Sequence, residues 1–219
     1  MKKAPSEPGI WAIILAAGES KRMGEPKLLL RLAGRTIIET VVEQALASRA
    51  GQTIVVLGAG RGLMEAQISR FPVEIVFNPD FKTGMLSSVI RGLGRLPDSA
   101  RAAVILLADQ PFVSSGHIDA VIAAYIESQR GIVLPVCHGR RGHPLLLDLK
   151  YRGEIKGLSR RVGLRDLLRR HADDILEVPA DDPVVLRDID DRGDYLRARS
   201  SPLPGKKGRN PQRVRLKKR

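Results

Sequence analysis

Cysteine is nearly absent from this chain. Cys137 stands alone among 219 residues, which excludes an internal disulfide and any multi-thiolate metal site and fits a reducing compartment. Aromatic residues make up 4% of the chain, too few for the base-stacking platforms that hold single-stranded nucleic acid. No apolar run approaches the ~20 residues of a membrane span. Met1-Lys2-Lys3 is followed by Pro5, Glu7 and Pro8 rather than by a signal-peptide apolar core. These absences predict a cytoplasmic protein without membrane or nucleic-acid partners. No internal repeat is present either.

Positive charge, in contrast, is in excess, with a formal net charge of +13. Eight of the cations (Lys206, Lys207, Arg209, Arg213, Arg215, Lys217, Lys218 and Arg219) crowd residues 200–219, which contain no acid. Such a segment buries little apolar surface, so 200–219 reads as a basic, disordered tail. Residues 1–9 read as a flexible N-terminus and 10–199 as a single domain, since 43% hydrophobic content supports one sizeable core.

Within 10–199, apolar β-rich runs alternate with helical patterns, the signature of βαβ units and a mainly parallel sheet. Strands are predicted at Ile10–Ala16, Thr53–Leu57, Val73–Phe77, Ala102–Leu107 and Gly131–Val136, with shorter ones at Leu145–Leu147, Ile175–Val178 and Val184–Ile189. Thr36 and Glu39 form a capping box ahead of a helix whose Ile38, Val41, Val42, Ala45 and Leu46 share one face. Further helices are predicted over Gly62–Arg70, Met85–Leu96, His117–Ser128 and Leu164–His171.

The first strand runs into Ala16-Ala17-Gly18-Glu19-Ser20-Lys21-Arg22-Met23-Gly24-Glu25-Pro26-Lys27. A turn of small residues at a strand's carboxyl end lets backbone N–H groups approach an anion, and Lys21, Arg22 and Lys27 add charge suited to a triphosphate. No Gly-Lys-Ser/Thr follows at Walker A spacing, and Gly18 and Gly24 are too far apart for a dinucleotide fingerprint. Asp109 ends an apolar strand, where an open parallel sheet places its ligand crevice.

Leu15 to Lys27, reading Leu-Ala-Ala-Gly-x-Ser-x-Arg-Met-Gly-x-x-Lys, resembles the signature of the MobA-like nucleotidyltransferases, the family of molybdenum cofactor cytidylyl- and guanylyltransferases. Four further stretches resemble family motifs in order: Gly84 to Leu93, Leu106 to Pro111, Arg140 to Pro144 and Asp188 to Tyr195. The resemblance covers about Ile10 to Tyr195. In the last stretch Asp191, Arg192 and Gly193 replace the usual Thr, Pro and Glu, which puts the cap of the following helix in doubt.

The resemblance implies a three-layer, Rossmann-like α/β nucleotidyltransferase. It implies that Leu15, Ala16, Ala17, Gly18, Ser20, Arg22, Lys27, Gly84, Ser87 and Ser88 bind nucleotide. Lys27, Arg22 and Asp109 would serve catalysis, Asp109 and Asp190 would hold Mg2+, and Gly142 and His143 would bind the acceptor. CTP is the expected donor, because Ala16-Ala17 stands where guanylyltransferase relatives tend to carry Gly-Gly. Molybdopterin cofactor is the expected acceptor, with a molybdoenzyme or a cofactor chaperone as protein partner. GTP, or a sugar or alcohol phosphate, is the alternative within the fold. Outside it, Gly58-Ala59-Gly60-Arg61-Gly62 suggests a dinucleotide-dependent oxidoreductase, against which its third glycine falls one residue early and no ribose-binding acid follows.

Overall fold

The computed structural model describes residues 6–203. In chain order its strands are β1 (Glu7–Ala16), β2 (Arg31–Leu32), β3 (Arg35–Thr36), β4 (Ala50–Leu57), β5 (Glu74–Phe77), β6 (Ala102–Leu107), β7 (Ile132–Cys137), β8 (Arg140–Arg141), β9 (Leu145–Asp148) and β10 (Ile175–Pro179). The helices are α1 (Ile37–Ala47), α2 (Arg61–Ile68), α3 (Met85–Leu93), α4 (Ser115–Ser128), α5 (Arg152–Gly157), α6 (Leu164–Arg170) and α7 (Arg192–Arg199). The main sheet runs β10-β7-β9-β6-β1-β4-β5, with β8 paired to β7.

Both faces of the sheet are covered. Along β1, Ile10, Ala12, Ile14 and Ala16 enter one apolar cluster with α1, α2 and α4, while Trp11, Ile13 and Leu15 enter another with α3, α5 and α6. This alternation across a doubly buried strand explains why β1 reads as an unbroken apolar run. The result is the three-layer α/β architecture expected. The pairs β1–β4, β1–β6, β4–β5 and β7–β10 are parallel. β9 lies antiparallel between β6 and β7, because the chain from β7 to β9 is too short for a crossover.

The capping box at α1 forms, with Thr36 N donating to Glu39 Oε2 at 2.7 Å and Glu39 N to Thr36 Oγ1 at 3.3 Å. Three sequence expectations are corrected. β1 starts at Glu7, whose N–H donates to the Arg49 carbonyl at 2.8 Å, so Glu7 to Gly9 belong to the sheet and not to a flexible N-terminus. Val184–Ile189 contains no strand: Asp182 accepts from Val184 N at 3.0 Å, and Pro183–Leu186 winds into a 3₁₀ turn. Leu203 packs against the core, so it does not belong to the disordered tail expected over 200–219; residues 204–219, with the cations at 206–219, lie outside the described residues, as do residues 1–5.

Candidate functional site

Strand order reverses beside β1, with β4 and β5 on one side and β6 on the other. Open α/β sheets bind ligands at the carboxyl ends of strands flanking such a reversal. A cavity of about 280 Å³ lies there, lined by Leu15, Ala16, Gly18, Ser20, Arg22, Lys27, Asp109 and Asp190, and also by Glu19, Lys21, Leu28 and Ala108.

Local bonds shape the loop that follows β1. Ser20 adopts a left-handed φ of 52°, its carbonyl accepts from Met23 N at 2.9 Å, and its Oγ accepts from Lys27 N at 3.3 Å. Lys27 opens a 3₁₀ turn whose next residue, Leu28, is buried, so the backbone below the ammonium is anchored in the core. On the other wall, Ala108 N donates to the Leu15 carbonyl at 3.1 Å, fixing Asp109 two residues beyond Leu107, where the β1–β6 ladder ends. Asp190 arrives from far along the chain because Ile189 is fully buried and donates its N–H to the Asp109 carbonyl at 3.0 Å.

These anchors bring four charges together. Lys27 Nζ lies 2.7 Å from Asp109 Oδ2 and 3.2 Å from Asp190 Oδ1. Arg22 reaches Asp190 Oδ2 at 3.0 Å from a largely exposed position. Asp109 does not cap the following helix, whose N-cap is Ser114. Asp190 also donates its backbone N–H to Asp194 Oδ2 at 3.0 Å. Asp191 takes over the N-cap of α7 by accepting from Asp194 N at 2.8 Å, so the replaced Thr-Pro-Glu leaves the cap intact.

Gln110 and Asp188 brace this site and were not among the expected site residues. Buried Gln110 donates through Nε2 to Asp188 Oδ1 at 2.5 Å. Burial raises the Asp188 carboxyl above its ordinary pKa against the lowering effect of that bond, and the nearby Asp109 and Asp190 carboxylates raise it further. The sequence signal was the amide directly after Asp109 in Asp-Gln-Pro.

The remaining expected residues flank the cavity rather than line it. The Ala17 methyl packs behind the loop: a Cβ added to Gly58 would lie 2.7 Å from the Ala17 carbonyl oxygen and 2.8 Å from its Cβ. Gly84, at φ 107°, precedes α3. Ser87 and Ser88 are buried and accept from Asn78 Nδ2 at 2.9 and 3.0 Å, while the Ser87 hydroxyl lies 2.8 Å from the Gly84 carbonyl oxygen. Asn78 is a third residue absent from the expected site, although an asparagine between an apolar strand and a proline is a turn signal.

Gly142 N donates to the Pro135 carbonyl at 2.8 Å, and a Cβ there would collide with the Val185 carbonyl oxygen. His143 N donates to that same Val185 at 3.0 Å. Burial pushes the His143 imidazole down to about 4, partly offset by the Asp109 carboxylate, so the ring is neutral at pH 7 and close enough to sense Asp109.

No cluster of three or more His, Cys, Asp or Glu side chains suited to a metal occurs among the described residues. Asp109 and Asp190 offer two hard oxygens on a shared cation, which fits an ion that completes its shell with phosphate oxygens and water. No helix among the described residues is long and apolar enough to cross a membrane.

Comparison with known proteins places these residues in a family context. A family model for the MobA-like NTP transferase domain matches residues 12–175. The chain is 30% identical to nicotine blue oxidoreductase of Paenarthrobacter nicotinovorans, over 74% of this chain and 83% of that one. It is 32% identical to purine catabolism protein PucB of Bacillus subtilis strain 168, over 86% and 95%. It is 26% identical to the molybdenum cofactor cytidylyltransferase of Escherichia coli K12, over 85% and 94%. Among solved structures, Rv0371c of Mycobacterium tuberculosis H37Rv superposes with a TM-score of 0.80 at 26% identity, covering 90% of this chain and 100% of that one. Its complex with manganese gives 0.75 at 25% identity, over 88% and 98%.

Proposed function

Because the chain belongs to the MobA-like NTP transferase family, we propose that it transfers CMP from CTP to the phosphate of molybdopterin cofactor and releases pyrophosphate. The observation that carries this reading is the convergence of Lys27, Arg22, Asp109 and Asp190 on one cavity at the carboxyl end of β1.

In that cavity an acceptor phosphate oxygen attacks the α-phosphorus. A new P–O bond forms as the α–β bridging bond breaks, and the bond electrons leave with pyrophosphate. Lys27 and Arg22 bind the phosphates and stabilise the negative charge that grows on the leaving group. Asp109 and Asp190 would hold a divalent cation, magnesium in this reading, which when bound neutralises phosphate charge. A phosphate monoester is already anionic at neutral pH, so no strong general base is needed. The neutral His143 imidazole suits a hydrogen bond to the acceptor, while Gly142 supports that acceptor loop by letting the Val185 carbonyl pack against it. Leu15, Ala16, Gly18 and Ser20 form the phosphate side of the nucleotide site, backed by Ala17. Gly84, Ser87 and Ser88 form its base side, and the Ser88 oxygen, having accepted from Asn78, keeps its own hydrogen to donate.

The cytidylyl preference is supported by Ala16 in the cavity wall, where a methyl narrows the approach of a purine. Ala17 lends it only indirect support, since its methyl faces Gly58. The test is kcat/KM for the four NTPs with molybdopterin cofactor and a divalent cation, read as pyrophosphate release. CTP should lead by roughly 10- to 200-fold. A lead for GTP would replace the cytidylyl reading by the guanylyl one, and no pyrophosphate from any NTP would remove both. We place this activity in the cytosol, in line with a lone cysteine.

A second reading, oxidoreductase activity, is favoured by the relative of that name. Against it, Ala59 N is spent on the Ala17 carbonyl at 3.3 Å and the space above Gly58 is filled by Ala17 and Phe81, which leaves no room for a pyrophosphate at the first glycine of that segment. Oxidation of NADH or NADPH by the purified protein with quinone acceptors would favour this second reading.

A further inference from the structure

In the structure the two carboxylates assigned above to a metal already face a cation of the chain itself. Lys27 Nζ bonds both, at 2.7 and 3.2 Å, and its side chain is only 13% exposed. Arg22 adds a second positive charge at 3.0 Å from Asp190 Oδ2. A divalent ion on the same oxygens would share them with an ammonium, and like charges a few ångströms apart repel strongly at the dielectric of a partly buried site.

Relief is available within the same cavity. The Lys27 backbone is fixed by Ser20 and Leu28, but its four-carbon stem carries a compact charge on rotatable bonds. A triphosphate bound along the loop offers that charge a new set of anionic oxygens.

We propose that Lys27 is a displaceable counter-cation: without nucleotide it blocks the Asp109–Asp190 pair, and a nucleoside triphosphate opens the pair by drawing the ammonium onto its phosphates. Divalent cation and nucleotide therefore bind with positive coupling, and the free protein has little affinity for the cation alone. The inference rests on Asp109 and Asp190 being the metal ligands. It makes Lys27 a gate on cation binding in addition to its contact with substrate.

The experiment titrates Mn2+ into the full chain and follows free Mn2+ by electron paramagnetic resonance. Wild type, Lys27→Met, Lys27→Gln and the double variant Asp109→Asn/Asp190→Asn are compared without nucleotide. Wild type and the double variant are also measured with α,β-methylene CTP and with α,β-methylene GTP, after subtraction of Mn2+ held by each analogue alone. Both lysine variants should bind Mn2+ roughly tenfold more tightly than wild type, within the usual range of coupling between sites. An analogue should tighten wild-type binding by a comparable factor. If neither lysine variant binds more tightly than wild type, while the double variant loses the Mn2+ that wild type binds with analogue, the counter-cation role is overturned and the metal pair stands. If wild type and the double variant bind Mn2+ alike with analogue present, the assignment of the metal ligands fails, and the gate with it.

Discussion

Asp109→Asn separates the chemistry of this site from its architecture. The substitution keeps the size of the side chain and the backbone bonds of Ala108 and Ile189 that hold the two walls together. What it removes is one charge. Lys27 keeps its contact with Asp190 at 3.2 Å, and the broken pair is neither fully solvated nor dry, its side chains being 13% and 24% exposed. Exposed pairs contribute ~0–1 kcal/mol and breaking buried ones costs ~3–5 kcal/mol, so a loss of about 1 kcal/mol is expected, or roughly 2–4 °C in Tm. Turnover should fall much further, by about 10²- to 10³-fold, because the divalent cation that Asp109 would hold neutralises charge that develops at the phosphates in the transition state. Calorimetry and pyrophosphate release at saturating divalent cation give the two numbers. A third readout comes from neighbouring groups. Burial lowers the His143 imidazole and Asp109 lifts it, so in the variant it should fall further below about 4. Asp188, raised first by burial and then by Asp109 and Asp190, should move down toward its ordinary range. NMR titration reads both. Turnover within about threefold of wild type, or a Tm loss large enough to account for the missing activity, would refute the reasoning.

Gly58→Ala should destabilise by about 1–3 kcal/mol and raise the KM for NTP, because its Cβ would lie 2.7 Å from the Ala17 carbonyl oxygen and from Phe81 Cβ; unchanged melting and KM would mean the loop is not supported from behind. Lys27→Ala should lower kcat more than it raises KM, and largely exposed Arg22 should show the reverse on substitution by alanine; steady-state kinetics that leave both variants at wild-type values would return the loop to a structural role. For pH, the folded His143 binds its proton only near 4, against 6.5 for the ordinary group. The unfolded chain therefore takes up a proton first, and the stability present above about pH 6.5 should decline as pH falls toward 4, by at most about 3 kcal/mol. Melting curves of His143→Gln across that window should be flatter than wild type, and equal slopes would count against a buried neutral imidazole. Truncation after Leu203 should leave Tm unchanged, whereas truncation after Ser200 removes Leu203 from the core and should lower it measurably; equal melting of both would show that Leu203 contributes nothing.

The parallel sheet was legible because β1, β4 and β6 are apolar on both faces and alternate with periodic helices, and the Thr36–Glu39 box marked α1 unambiguously. Less visible were features decided by one or two side chains. Pro183 and the Asp182 carboxylate turn Val184–Leu186 into a 3₁₀ segment where apolar content alone suggests a strand. Asp191 looked like a lost cap, yet aspartate caps a helix as well as threonine does. The segment after β1 forms a loop as expected, but the direction of the Ala17 methyl depends on Gly58, forty-one residues away in sequence and adjacent in space. Likewise the Ser87 and Ser88 hydroxyls face Asn78, a partner the local pattern does not reveal. Lys27 meets Asp109 and Asp190 across sequence separations of 82 and 163 residues. Motif order placed all three in one site, while the ion pairs between them follow only from where β6 and Ile189 bring the chain.

The central claim is that this cavity breaks the α–β bond of a nucleoside triphosphate and passes the nucleotidyl group to an acceptor phosphate. The most direct measurement follows two labels through one turnover, using CTP carrying ³²P at the α position or at the γ position, with molybdopterin cofactor as acceptor. The α label should appear on the acceptor and the γ label in pyrophosphate, in equal amounts, and both should vanish with Asp190→Asn. Transfer of the γ label to the acceptor, or its release as inorganic phosphate with the α label left on CDP, would contradict the account.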